Sequence, residues 1–145
     1  MLGCALVGAL THNFLWALPY LSGRYERAPA ERRFLRWGAR LFGGAFVAGL
    51  ILYPAYKLQV RVGWLDTHRP WVGRIFDIKE HFAALALATL AAQTWLARKG
   101  HPAKVNDRLT RVVYVSLSGL GAGLVWIVAL IGLYTTTHRS FGGGG

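Results

Sequence analysis

The sequence predicts an all-α integral membrane protein: an up-down four-helix bundle with an interfacial segment between helices 2 and 3. Three observations carry this. The 145 residues are 54% hydrophobic and 16% charged, with a mean hydropathy of +0.33, the composition of a membrane protein rather than a soluble domain. The apolar residues gather in four blocks, at about residues 2–21, 41–56, 74–97 and 112–134. Between the blocks lie basic segments, as expected of spans separated by topogenic loops.

The first block, LGCALVGALTHNFLWALPYL, has no Lys, Arg, Asp or Glu over its twenty residues. At about 1.5 Å per residue it reaches about 30 Å, the thickness of a hydrocarbon core. It lacks a basic leader and a small-x-small cleavage site, so it reads as a retained helix. Residues 24–40 follow with six Arg. Pro29 suits a helix first turn and Glu31 is favourable close behind it, which predicts a basic interfacial turn leading into the second span. That span, LFGGAFVAGLILYPAY, carries two overlapping small-xxx-small pairs, Gly44 with Ala48 and Ala45 with Gly49, suited to close approach of another helix. Pro54 removes a backbone hydrogen bond near its far end.

Residues 57–80 mix basic, acidic and aromatic side chains, with Pro70 dividing them, and predict an interfacial connection. Span 3 ends at Arg98-Lys99-Gly100-His101-Pro102. Span 4 presents Ser116, Gly119 and Gly123 on a second small-residue face. The terminal glycines, 142–145, are expected to be a disordered tail or an artefact. One domain, 1–141, is expected.

The formal charge is +11. Its placement between apolar blocks points to anionic lipid headgroups rather than nucleic acid, and no basic-aromatic nucleic-acid module is present. The connections after spans 1 and 3 carry six and five Lys or Arg, whereas the middle connection carries five and the tail one. The positive-inside rule then places both termini outside, in a bacterial inner membrane. Cys4 is the single cysteine, which excludes an intramolecular disulfide and a C-x-x-C-H haem attachment. No hydrolase, P-loop, dinucleotide or EF-hand motif occurs, and the loops are too short for an autonomous soluble active site.

Of five histidines, His68, His101 and His138 fall in connections or the tail and are expected to be solvated. His12 and His81 fall in spans running the same way, about 18 and 25 Å from the basic ends of their helices. Gly8 lies one turn before His12, and Ala84 and Leu85 follow one turn after His81, leaving room for a flat ring. Asp77 is placed to orient the His81 imidazole. Two imidazoles from a helical bundle are one way to hold haem b. Polar contacts to Thr11, Asn13, Tyr53 or Ser116 would serve a purely structural role equally well.

With His12 and His81 in parallel spans, the layout resembles the small four-helix b-type cytochromes and the haem-bearing membrane anchors of respiratory complexes. The resemblance implies haem b with His12 and His81 as iron ligands, Gly8, Ala84 and Asp77 around the ring, electron transfer, and quinone as a possible partner. Other membrane subunits of a redox complex and the bilayer would be its neighbours. The alternative is a non-catalytic accessory subunit packing against partners through the faces of Gly44 to Gly49 and of Gly119 and Gly123.

Overall fold

The computed structural model describes residues 2–56, 70–105 and 107–140, with side chains over 3–54, 77–105 and 107–134. The described residues are 93% helical and include no strand. Helix α1, Leu2–Ala17, runs into a 3-10 turn, Leu18–Ser22; α2 is Ala28–Tyr56, α3 Pro70–Lys99, α4 the single turn Pro102–Val105 and α5 Arg108–Ser140. Three segments are long and apolar enough to cross a membrane: Gly3–Ser22, Ala28–Pro54 and Arg108–Tyr134. Helix α3 is as long, at 30 residues, but Lys79, Glu80, His81 and Gln93 dilute its apolar run.

Two boundaries differ from the sequence expectation. The basic segment expected to run into the second span is itself part of that helix: the arginines of residues 32–40 occupy the early turns of α2, unbroken from Ala28, so the helix begins well before residue 41. Pro29 at its start forgoes an N–H that has no helical partner there, and nothing after it breaks the helix. Pro70 likewise opens α3 instead of dividing a connection. The expected interfacial connection, including Asp66 and His68, falls largely outside the described residues.

Helix α1 packs against both α2 and α5, and α3 packs along α5. The core gathers Leu6 and Leu10 of α1, Leu35 and Phe42 of α2, Ala86 and Leu90 of α3, and Val115, Ala122 and Val125 of α5. Their spacings of three, four and seven are those of a helix face turned inward. Two glycines set the crossings of α1. A methyl group on Gly38 would fall 2.6 Å from Leu10 Cδ2, and one on Gly119 would fall 2.8 Å from the Phe14 ring.

The ends of the elements are closed locally. Gly23, at φ 72°, ends the 3-10 turn in the left-handed region. Its N–H and that of Arg24 return to the carbonyls of Tyr20 and Pro19, at 3.0 and 3.1 Å. Asp107 caps α5, its Oδ2 accepting the Thr110 N–H at 3.0 Å and the Thr110 hydroxyl at 3.2 Å. The backbone bond from Thr110 is the main reason its carboxyl sits below the ordinary value of 3.8.

The Gly119–Gly123 pair therefore divides. Gly119 is filled by Phe14 within the chain, while a side chain at Gly123 would meet open space. Gly119→Leu should lower stability by about 1–3 kcal/mol through overpacking of Phe14, and Gly123→Leu should leave it nearly unchanged. Unfolding of the detergent-solubilised variants by denaturant titration measures the difference; equal losses would contradict this packing.

Candidate functional site

The polar residues of the apolar helices converge on one layer near the Tyr20 end of the bundle. Asn13, Glu31, Gln93, His101 and Ser118 are each no more than 2% exposed, and Tyr20 and Tyr114 are fully buried. Every long helix contributes. Asn13 comes from α1, Glu31 from the first turn of α2, Gln93 from α3, and Tyr114 and Ser118 from one face of α5. Tyr20 comes from the 3-10 turn, and His101 from the junction between α3 and α4.

Glu31 is the hub. Its Oε1 accepts the Asn13 amide at 2.6 Å and the Tyr114 hydroxyl at 2.7 Å. Its Oε2 accepts His101 Nε2–H at 3.2 Å and, more weakly, the Tyr20 hydroxyl at 3.4 Å. An ionised carboxylate offers about four acceptor sites, and here each has a donor. The arrangement is chemically self-consistent. Because the Asn13 amide nitrogen must face the carboxylate, its Oδ1 faces away and accepts Gln93 Nε2–H at 2.8 Å and the Ser118 hydroxyl at 2.7 Å. The Ala103 N–H donates to His101 Nδ1 at 3.2 Å, so the ring proton sits on Nε2, the nitrogen that meets Glu31. The rings of Tyr20, Tyr114 and His101 enclose the carboxylate at centroid separations of 5.3–6.1 Å. The layer is fitted to hold one buried carboxylate and tie four long helices to it.

His101 corrects the expectation that it is solvated: it is fully buried and paired with Glu31. The reason is that the short connection between α3 and α5 turns into the bundle rather than outward. Glu31, read from sequence as a favourable helix-start charge, is in that first turn but faces the interior.

His12 and His81 lie elsewhere. Each donates Nδ1–H to the carbonyl one turn earlier, His12 to Gly8 at 2.8 Å and His81 to Asp77 at 2.7 Å. The Asp77 atom that meets Nδ1 is thus its backbone carbonyl. His12 is exposed, stacks on Phe34 of α2 at 5.3 Å and meets Trp16 edge-on at 6.1 Å. His81 is exposed on α3, as is Ala84, and a side chain at Gly8 would meet open space.

The structure does not bring the two rings together. Gln93 and Asn13 are hydrogen bonded, which places them at one level of two parallel helices. From that level His12 is one residue away, about 1.5 Å, and His81 is twelve residues away in the same direction, about 18 Å. Lys79 beside Gly132 gives the same register from α5. A difference of about 16 Å along the axis does not allow both imidazoles to bond one iron, so the pair as placed does not fit a single bis-His haem. Among the described residues no group of three or more His, Cys, Asp or Glu could hold a metal ion.

No protein family matches the chain, and neither curated proteins nor solved structures show significant similarity to it.

Sequence reasoning missed most of the layer, although one signal was present. Asn13, Gln93 and Ser118 are polar residues inside otherwise apolar runs, and such residues must find partners inside the protein.

Glu31→Ala would strand four buried donors and should cost about 3–5 kcal/mol, against about 1–3 kcal/mol for His101→Ala. Denaturant titration in detergent provides the comparison. A Glu31→Ala protein as stable as the native one would contradict the hub assignment.

Proposed function

We propose that this chain is a non-catalytic integral membrane subunit, a four-span bundle that packs against other membrane subunits through the outer face of α2. The observation that carries the reading is how little of that helix the chain itself covers. Only 17% of the apolar window of α2 is buried, against 33% for α1 and for α5. Along this half Gly44, Ala45, Ala48 and Gly49 are all exposed, and nothing lies within 4 Å of a side chain built on Gly44 or Gly49. Val47, Leu50, Ile51 and Leu52, 55–73% exposed, stand beside them. Small residues flanked by branched ones let a second helix approach closely enough for van der Waals contact, which is what drives association where lipid is as apolar as the side chains.

In this reading α3 is the fourth span. Its Gln93 is satisfied inside the bundle, its Thr89 hydroxyl bonds the Leu85 carbonyl, and α5 shields one side of the helix. The two arginine-rich connections face the cytoplasm, and the termini face the opposite side of a bacterial inner membrane.

A second reading is electron transfer through haem b within a redox complex, with quinone as a partner. What favours it is that both His12 and His81 are exposed and use Nδ1 for a backbone carbonyl, a bond that leaves the other ring nitrogen, Nε2, as the one to meet a metal.

Purification from native membranes in mild detergent separates the readings. Under the first, the chain co-purifies with membrane partners, and Gly44→Leu with Gly49→Leu releases it as a folded, helical monomer. Partner retention by that double variant contradicts the proposed face. A reduced-minus-oxidised b-type spectrum from the complex, lost on His12→Ala or His81→Ala, would favour the second reading; no Soret band in the intact complex removes it.

A further inference from the structure

At the basic end of the bundle, α2 and α3 flank a cavity of about 440 Å³. Its α2 wall is Arg32, Leu35, Arg36, Ala39 and Arg40, one helix face at spacings of three and four; its α3 wall is Thr94, Ala97 and Arg98. Four guanidinium-bearing residues line it and no carboxylate does. The nearest acid in sequence, Glu31, is committed to the bundle interior by its bonds to Asn13, Tyr114 and His101.

Two buried polar atoms of the lining have no partner: Arg32 Nε and Thr94 Oγ1. Groups of both kinds can find helical carbonyls in the same bundle, although Arg111 Nε, outside this lining, is likewise buried without a partner. The hydroxyls of Thr11 and Thr89 bond Val7 and Leu85 at 2.7 and 2.6 Å, and Arg36 Nε bonds the Arg32 carbonyl at 3.3 Å. A buried donor left unmade is costly. Two such donors, beside three further arginines and with no negative charge on the wall, match one ligand chemistry. A phosphate group has several acceptor oxygens and a charge that guanidinium groups grip in paired, directional bonds.

We propose that this groove is a binding site for a phosphate group, in which Arg32 Nε–H and the Thr94 hydroxyl donate to its oxygens and Arg36, Arg40 and Arg98 supply charge. The source is either an anionic phospholipid, whose acyl chains would run over Leu35, Ala39 and Ala97, or a soluble phosphate. The site is independent of whether α2 also meets a partner subunit.

The test uses the full-length protein, delipidated in a maltoside detergent and checked for helicity and monodispersity. Phosphatidylglycerol binding is followed by native mass spectrometry, and inorganic phosphate by isothermal titration. The native chain should bind one molecule of phosphatidylglycerol, of phosphate, or of both in competition. Binding of the lipid alone identifies a headgroup site, and competition by phosphate identifies a soluble ligand. Arg32→Gln and Thr94→Val should each weaken binding, by about tenfold for the arginine, whereas the exposed Arg33→Gln, which does not line the cavity, should not. Thr94→Val keeps the side-chain volume, so it tests the site even if an arginine variant folds poorly. Failure of both probes to bind the native protein, or equal weakening by Arg33→Gln and Arg32→Gln, would overturn the proposal.

Discussion

The bundle is organised around one buried carboxylate. Glu31 lies in the first turn of α2 with no exposed surface, where an unpartnered charge would be prohibitively costly. Four donors from four separate parts of the chain meet it, and Asn13 relays the contact onward to Gln93 and Ser118. Apolar helix faces built from Leu, Ala and Val are non-directional and tolerate sliding by a turn. A set of donors matched one-to-one with acceptors does not, because each slip leaves buried groups unpaired. The polar layer therefore sets the register that the apolar layers then fill.

Two consequences follow for the outer surface. With Glu31 turned inward, the arginines that follow it on α2 keep an uncompensated positive field toward α3, where the cavity and its unpartnered donors lie. Away from the layer apolar contact prevails, with Trp126 Nε1–H donating to the Thr11 hydroxyl at 3.0 Å between α5 and α1, and the far half of α2 is left largely uncovered. Binding surface and structural tie thus sit at different heights of the same helix. Gly38 and Gly119 mark the contacts that α1 makes inside the chain, while Gly44, Gly49 and Gly123 remain open.

The helical class and the existence of the long apolar helices were legible in the sequence, because periodicity and the absence of charge over about twenty residues leave few alternatives in a bilayer. Boundaries were less so. Pro29 and Glu31 signalled a helix start, but the arginines of residues 32–40 put the apolar span at about residue 41; a helix continues through charged residues when one of its faces is buried, as Leu35 and Phe42 are here. The small-residue motif at Gly119 and Gly123 was visible, but not that Phe14 fills one half of it. The polar layer was the least legible part. Glu31 sits among arginines and His101 precedes a helix-stopping proline, so each has an ordinary local explanation. Only the three-dimensional convergence of residues 13, 31, 93, 101, 114 and 118 reveals their shared role. His12 and His81 drew notice for being ionisable within apolar runs, yet register, which a sequence does not display, separates them.

The most direct test of this account is a double-mutant cycle between Tyr114→Phe and Glu31→Leu, with unfolding free energies measured in the same detergent. In the native background Tyr114→Phe removes a hydrogen bond to a buried carboxylate and should cost about 1.5–3 kcal/mol. In the Glu31→Leu background the hydroxyl has lost that acceptor, and the same substitution should cost nothing or stabilise. An identical cost in both backgrounds would show that Tyr114 and Glu31 act independently, and would contradict a fold held in register by this carboxylate.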